Sequence, residues 1–325
     1  MKRAVRLTVL LFLFVPQTIL AQSPVEYPVG QTDLVLHDNS RNRDIAVRIY
    51  FPKTDKGLFP VVVFSHGAGG SKDGYAYLGN YWAAHGYICL HPNHLGSDSA
   101  LVHKHRPLLT LRAVKKAVQN PDNLVNRPRD ISFVLDSLSR IEHQVPGLQG
   151  HVDMNLIGVS GHSFGAYTTM AVAGAIIHLP DGKAQGFSDP RVKAFIAMSP
   201  QGTGRIGFGP DSWTSITRPV LTMSGTKDSE LGGGDPGERL QAFEHMPRGD
   251  KFHVLILGAN HFDFADKQLE GGAVEEGMHE FIESVTVRFW DAYLKNGPPF
   301  MESLAIPQGS YTLREDGVQA SVQSK

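Results

Sequence analysis

A serine inside a glycine-rich turn is the residue of this sequence best placed for covalent chemistry. Residues 155–159 form a predicted strand that leads into Gly161-His162-Ser163-Phe164-Gly165, and a predicted helix follows at once. The pattern Gly-x-Ser-x-Gly between a strand and a helix is typical of a nucleophile elbow, where the serine hydroxyl projects above a sheet. We therefore predict Ser163 as a nucleophile. The alternative is a structural glycine turn that happens to contain a serine.

A serine nucleophile needs a histidine base, and that base needs a carboxylate to orient it. Asp228 follows the predicted strand at residues 219–224, and His261 follows the one at residues 253–257. Open α/β sheets build their sites at the carboxyl ends of parallel strands, so both side chains are expected at the edge where Ser163 lies. We expect Asp228 as the acid and His261 as the base. Alternatives in the same segments are Glu230 and Asp235 for the acid and His245 and His253 for the base, whereas Asp263 is expected to be a loop residue.

An oxyanion that forms beside Ser163 needs backbone N–H donors that are already in place. One is predicted at Phe164, directly after the nucleophile. The other is predicted in the glycine-rich loop at residues 65–70, which follows the predicted strand at residues 61–64 and can approach a substrate carbonyl closely. We favour the amide of Ala68 over that of Gly67, and Gly67 is also a candidate substrate-binding residue.

Short apolar runs separated by longer periodic segments would position these residues. The runs lie at residues 61–64, 87–90, 156–159, 192–198, 220–223 and 254–257. Helices are predicted between them at residues 75–85, 129–141, 167–177 and 274–294. Continuous apolar strands that alternate with helices predict an α/β fold with a mostly parallel central sheet and helices on both faces. Two further strand-like runs, at residues 32–36 and 45–51, flank polar turn residues and predict an antiparallel N-terminal hairpin.

The composition excludes several classes of protein. The 325 residues include 31 basic and 32 acidic side chains, so a formal net charge of −1 argues against a nucleic-acid-binding protein. Hydrophobic residues make up 41% of the chain, which is enough for a sizeable core. The single cysteine, Cys89, excludes an intramolecular disulfide and a cysteine-rich metal site.

We found no internal repeat or low-complexity linker, so residues 22–325 are predicted to form a single domain. The segment at residues 96–129 carries a basic cluster at residues 103–106. It is either a lid-like insertion or a solvent-exposed surface segment. The tail from about residue 303 is polar and is expected to be partly disordered.

The N-terminal segment has the pattern of a secretory signal. Lys2, Arg3 and Arg6 precede an apolar run at residues 7–15, and the small residue Ala21 precedes a polar stretch. The apolar run is shorter than the roughly 20 residues that a membrane-spanning helix needs. We therefore predict a signal peptide at residues 1–21, export to the periplasm or the medium, and no stable membrane anchor after cleavage.

Two further groups of residues were considered for binding. The first group is four histidines whose spacing could suit a metal site, namely His91, His94, His103 and His105. No metalloprotease pattern accompanies them, so no metal is predicted. Trp213, in the loop after the predicted strand at residues 192–198, is a candidate wall of an acyl pocket. Packing at the surface is an equally good interpretation of this tryptophan.

Four segments together resemble the α/β-hydrolases, in particular the dienelactone-hydrolase-like group that includes platelet-activating-factor acetylhydrolase and polyester-hydrolase relatives. They are Phe-Ser-His-Gly-Ala-Gly at residues 64–69, the elbow around Ser163, Ser-Gly-Thr-Lys-Asp ending at Asp228, and Gly-Ala-Asn-His-Phe around His261. Residues 91–97 and 127–130 are also similar to that group. True dienelactone hydrolases use a cysteine nucleophile, whereas this elbow holds serine and Cys89 lies on another predicted strand.

The resemblance implies an α/β-hydrolase fold and a serine hydrolase that acts on esters or lactones without a cofactor. The substrate would be a small-molecule or polymeric carboxylic ester, cleaved through an acyl-enzyme on Ser163. Two alternatives remain: an amidase or peptidase that uses the same three residues, and a hydrolase-fold binding protein without catalysis. The sequence does not specify the oligomeric state.

Overall fold

The computed structural model describes residues 26–103, 107–229, 233–266, 274, 276–306 and 312–325. The strands are β1 (Val29–Asp38), β2 (Arg43–Pro52), β3 (Phe59–Ser65), β4 (Ile88–Pro92), β5 (Val152–His162), β6 (Ile177–His178), β7 (Ala184–Gln185), β8 (Val192–Met198), β9 (Val220–Lys227), β10 (Lys251–Asn260), β11 (Thr312–Glu315) and β12 (Val318–Ser324). The helices are α1 (Ala76–Ala84), α2 (Ala100–His103), α3 (Pro107–Gln119), α4 (Pro121–Asp136), α5 (Leu138–Gln144), α6 (Phe164–Ala173), α7 (Gln241–His245), α8 (Met278–Leu294) and α9 (Phe300–Ser303). Short 3₁₀ helices lie at Pro236–Leu240 and His261–Phe264. The predicted signal peptide lies outside the described residues.

The central element is a mixed sheet with the strand order β1-β2-β4-β3-β5-β8-β9-β10-β12-β11. Its six inner strands, from β4 to β10 in this order, run parallel to one another. Antiparallel pairs form both edges, β1 with β2 at one and β11 with β12 at the other. The predicted mostly parallel sheet and N-terminal hairpin are confirmed.

Helices cover both faces of the inner strands. All residues of β3 and β4 are buried, as expected for strands covered on both faces. On one face, Trp82 of α1 and Trp290 of α8 meet edge to face with ring centres 5.9 Å apart. On the other face, Ile131 of α4 and Met170 of α6 belong to a second apolar cluster. Within the described ranges, no helix combines the length and the apolar character that are needed to cross a membrane.

Helix α4 begins earlier than predicted. The side chain of Asn120 accepts a hydrogen bond from the N–H of Asp122, and Pro121 occupies the first turn, where a proline is tolerated. Pro128 lies inside this helix. The sequence prediction placed the helix start at residue 129, after this proline, on the spacing of the apolar residues from Ile131 to Leu138. The stretch at residues 96–129 therefore contains α2, α3 and half of α4.

The C-terminal residues differ from the expected partly disordered tail. Strand β12 pairs with β10 from Phe252↔Ser324 to Ile256↔Ala320, and β11 pairs with β12. Val318, Ala320 and Val322 are buried, while the residues between them face outward to varying degrees. The tail thus completes the edge of the sheet next to the strand that precedes His261.

Candidate active site

The backbone at Ser163 forms a sharp turn between β5 and α6. Ser163 has φ 57° and ψ −117°, in the left-handed range that is costly for a residue other than glycine. A Cβ atom at position 165 would lie 1.7 Å from the carbonyl oxygen of Ser65, and one at position 161 would lie 2.4 Å from the carbonyl oxygen of Gly165. Both Gly161 and Gly165 are therefore required by the close approach of β3, β5 and α6.

Three loops bring the predicted acid, base and nucleophile together. The Ser163 hydroxyl lies 2.9 Å from Nε2 of His261. Nδ1 of His261 lies 2.8 Å from Oδ1 of Asp228. Asp228 is fully buried and His261 is 7% exposed, so the hydrogen-bonded chain is shielded from bulk water. This arrangement suits proton transfer from the hydroxyl to the imidazole, with the carboxylate fixing the orientation of the ring.

The alternative acids have structural contacts instead. Asp235 accepts a hydrogen bond from the N–H of Gly237 at 2.9 Å and caps the 3₁₀ helix at Pro236–Leu240. Asp263 accepts one from the N–H of Asn260 at 2.7 Å and so caps the short helix that begins at His261. Glu230 lies outside the described residues.

The alternative bases also lie away from Ser163. His253 is buried in β10, with Nδ1 2.8 Å from the hydroxyl of Thr222, and burial lowers its pKa to about 4. His245 is the last residue of α7, and its Nδ1 lies 2.8 Å from the carbonyl oxygen of Gln241.

Arg239 is a buried residue of this site that no motif or spacing in the sequence indicates. Its Nε lies 3.3 Å from Oδ1 of Asp228 and donates to the backbone oxygen of the same residue at 3.2 Å. Burial alone would raise the pKa of Asp228. The hydrogen bond with His261 and the charge of Arg239 outweigh burial and lower that pKa to about 2. The acid is thus held as a carboxylate over the whole neutral range.

The predicted oxyanion donors lie beside the nucleophile. Ala68 and Phe164 line the same cavity as Ser163 and His261. Among the described residues, no backbone carbonyl accepts a hydrogen bond from the amide of Ala68 or of Phe164. Gly67 does not line the cavity but lies beneath it, since a Cβ atom at this position would be 3.5 Å from Cβ of Ser163. Ala68 and Phe164 therefore border the same cavity as the Ser163 hydroxyl.

Arg127 is buried next to the loop after β3 and the start of α6, the two segments that contain Ala68 and Phe164. Its guanidinium donates to Oγ of Ser65 at 2.9 Å and to the carbonyl oxygen of His66, and it lies 4.5 Å from the ring centre of Phe164. Burial lowers the pKa of Arg127 to about 9, so the group remains charged at neutral pH. This residue fixes the start of the loop after β3 relative to the residue that follows the nucleophile.

Tyr75 joins three segments of the site. Its hydroxyl lies 2.7 Å from Nδ1 of His162, and its N–H donates to the carboxylate of Asp266 at 2.5 Å. Burial lowers the pKa of His162 well below its usual range, so this ring is neutral and can accept the hydroxyl proton. A Cβ atom at Gly67 would lie 3.3 Å from the Tyr75 hydroxyl. Tyr75 thus ties the loop after β3 to the elbow and to the segment that carries His261.

The histidines considered for a metal have other contacts. His94 lies 2.9 Å from Asp130 through Nδ1 and 3.0 Å from the hydroxyl of Ser65 through Nε2, and all three side chains are buried. His91 is buried as well, which lowers its pKa to about 4. Where side chains are described, no group of three or more His, Cys, Asp or Glu could hold a metal ion. The side chains of His103 and His105 are not among those described.

A cavity of about 330 Å³ opens beside Ser163. Helix α3 forms one wall through Val114, Lys115, Val118 and Gln119, and the segment after β8 forms another through Gln201, Gly204, Arg205 and Ile206. Gly233 and Arg239 complete the lining that is described. The stretch at residues 96–129 therefore borders the candidate site through α3.

Trp213 lies elsewhere than expected. It is fully buried, with its ring centre 4.9 Å from that of Phe208, and it does not line the cavity. The hydroxyl of Ser215 donates to the carbonyl oxygen of Gly174 at 2.6 Å. This contact anchors the loop to the C-terminal end of α6, whereas Ser163 lies at the N-terminal end, so Trp213 packs into the core instead of the acyl pocket.

A protein-family model matches more than half of the chain. The model described as Chlorophyllase matches residues 22–200, a range that includes the loop after β3 and the elbow but ends before Asp228 and His261. The chain belongs to the chlorophyllase family. The expected membership of the α/β-hydrolases is thereby confirmed.

Two proteins of known name are similar to this chlorophyllase-family chain. The platelet-activating factor acetylhydrolase of Cavia porcellus is 19% identical over 271 residues, which cover 73% of this chain and 58% of the relative. The chain thus spans less than two thirds of the length of that relative. A ferulic acid esterase from Streptomyces cinnamoneus has a similar structure, with a TM-score of 0.62, 20% identity and coverage of 89% of this chain and 96% of the esterase. At this identity the likeness concerns the fold.

Proposed function

We propose that this chlorophyllase-family protein hydrolyses carboxylic esters through an acyl-enzyme on Ser163. The observation that carries the proposal is the unbroken chain from the Ser163 hydroxyl through His261 to Asp228, at 2.9 and 2.8 Å, beside a cavity that Ala68 and Phe164 also line. Two similar proteins are named as an acetylhydrolase and an esterase, which supports the same class of reaction.

In the proposed reaction, His261 takes the hydroxyl proton as Oγ of Ser163 attacks the ester carbonyl carbon. Asp228 keeps the proton of Nδ1 in place and stabilises the imidazolium that forms. The amides of Phe164 and Ala68 donate to the oxyanion of the tetrahedral intermediate. His261 then gives its proton to the departing alcohol, and a water molecule activated by the same histidine releases the acid and regenerates the serine.

The substrate would be a small-molecule or polymeric ester that places its carbonyl group in the cavity. Apolar side chains of α3, such as Val114 and Val118, would contact its hydrocarbon portion. The proposal that the protein is exported rests on the charged and apolar pattern of residues 1–21 alone.

The role of Ser163 is tested by hydrolysis of p-nitrophenyl acetate and butyrate. We expect Ser163→Ala to lower kcat by at least about 10³-fold, because the nucleophile is lost while binding and the amides remain. Ser188→Ala is the matched control, since Ser188 is exposed and lies outside the site. Equal activity of Ser163→Ala and the control would remove Ser163 from the mechanism.

Covalent labelling separates an enzyme from a binding protein with the same fold. A fluorophosphonate probe reacts with an activated serine and should label the peptide that contains Ser163, as located by mass spectrometry. Absence of label on the folded protein would favour binding without catalysis.

A further inference from the structure

Gln201 is a buried polar side chain of the cavity that the proposed mechanism leaves unused. It lines the same cavity as Ser163 and His261, and it is 7% exposed. Its carboxamide oxygen has no hydrogen-bond partner among the described residues. A buried acceptor without a partner is costly, so a ligand group that supplies a donor at this point would be favoured over one that does not.

The backbone that leads to Gln201 is fixed relative to the three candidate catalytic residues. Arg239 donates to the carbonyl oxygens of Ser199 and Pro200, both at 3.2 Å, and the same guanidinium contacts Asp228. The backbone next to Gln201 is therefore held in place before a substrate arrives, which reduces the entropic cost of using this residue for recognition.

The charges around the cavity indicate which kind of donor would bind there. Lys115, Arg205 and Arg239 are cationic, and no described lining residue carries a carboxylate. Arg205 and Arg239 are each paired with an acidic residue, whereas Lys115 is exposed on α3. An ammonium donor would be repelled by the charge of Lys115, but a neutral hydroxyl would not.

We infer that Gln201 is a specificity-determining residue that accepts a hydrogen bond from a hydroxyl group of the substrate, so that the preferred substrates are hydroxylated carboxylic esters. The inference rests on the proposed ester hydrolysis at Ser163. The hydroxyl can belong to the acyl part or to the alcohol part, because both parts of an ester are bonded to the carbonyl carbon that Ser163 would attack.

The test compares kcat/KM for four esters. Ethyl butyrate is the reference, ethyl 3-hydroxybutyrate carries the hydroxyl on the acyl part, 2-hydroxyethyl butyrate carries it on the alcohol part, and ethyl 3-aminobutyrate carries an ammonium group. We expect one hydroxylated ester to exceed ethyl butyrate by about tenfold, as one net hydrogen bond allows, and the amino ester to fall below it. The hydroxylated ester that is preferred identifies the part of the substrate that meets Gln201.

Two substitutions then assign the preference to Gln201. Gln201→Met keeps the length of the side chain and removes the strong acceptor, so the ratio between the preferred hydroxylated ester and ethyl butyrate should fall to about one. Gln201→Glu keeps acceptor oxygens and should retain the ratio. Each variant is first shown to be folded by labelling of Ser163 with the fluorophosphonate.

The possible failures are distinguishable. If the wild-type protein is labelled and hydrolyses ethyl butyrate but shows no hydroxyl preference, the inference about Gln201 is overturned while the proposed function stands. A preference that survives in Gln201→Met would also overturn it. If the protein neither reacts with the probe nor cleaves any of the four esters, the proposed function fails and the inference fails with it.

Discussion

At the scale of single residues, Asp228 has the least freedom in the site. It is fully buried, with its Oδ1 2.8 Å from the imidazole of His261 and 3.3 Å from the guanidinium of Arg239. Substitution to Asn keeps the shape of the side chain but removes the charge that orients the histidine and stabilises its protonated form. We expect Asp228→Asn to lower kcat on p-nitrophenyl butyrate by about 10³- to 10⁴-fold.

Asp235→Asn is the control for that substitution. Asp235 lies on the same loop but caps a 3₁₀ helix, a role that asparagine also fulfils, so kcat should change little. If Asp235→Asn were the more damaging of the two, Asp235 and not Asp228 would be the acid.

The buried carboxylate also predicts how stability depends on pH. The pKa of Asp228 is lowered from 3.8 to about 2 in the folded protein, so its contribution to stability is complete above about pH 4 and is lost as the pH falls towards 2. The shift corresponds to about 2 kcal/mol. We expect the difference in the free energy of unfolding between the wild type and Asp228→Asn to shrink by that amount from pH 5 to pH 2, measured by urea titration. If the difference in the free energy of unfolding stayed constant from pH 5 to pH 2, the lowered pKa of Asp228 would be contradicted.

The sequence was informative for single residues that follow buried strands. Ser163, Asp228 and His261 each follow the end of a run of apolar residues, and the structure brings them together. Arg239 could not be found in this way, because its partners come from loops that are distant in the chain and a buried arginine looks like any surface arginine in a sequence. The position of Trp213 depends on the contact of its loop with the end of α6, which periodicity does not report.

At the scale of elements, the elbow depends on a contact between main chains. The carbonyl oxygen of Ser65 in β3 occupies the space that a side chain at position 165 would need. Gly165→Ala should therefore force β3 and α6 apart and cost about 3 kcal/mol or more, measured as the free energy of unfolding in urea. Gly186→Ala is the control, because its new Cβ would meet only the end of the Ile176 side chain at 3.4 Å. Equal stability of the two variants would show that the elbow tolerates a side chain.

Elements with strong apolar patterns were predictable, and those defined by pairing were not. The inner strands and the hairpin lie where continuous or alternating apolar residues indicated them. Strands β11 and β12 were missed because their sequence is polar and short, and only the free edge of β10 makes Val318, Ala320 and Val322 useful as a buried face. The start of α4 was missed because Pro128 lies inside it.

At the scale of the whole molecule, the C-terminal strand contributes to the stability of the domain. Val322 lies opposite Val254 of β10 and is fully buried. Val322→Ala removes about two buried methylene equivalents and should lower the free energy of unfolding by about 2 kcal/mol. Gln323→Ala, at the exposed neighbouring position, should leave it within about 0.5 kcal/mol. No loss of stability in Val322→Ala would indicate that the tail does not pair with the sheet in solution.

The contact between Gly165 and Ser65 has a consequence for how this protein can change over evolutionary time. Main-chain atoms set part of the spacing between Ser163 and the loop after β3, so position 165 must keep its glycine while side chains farther from the elbow can change. The wall contributed by α3 contains no glycine and carries no such restriction. New ligand preferences can therefore arise by substitution in this wall, while the geometry of the elbow at Ser163 is retained.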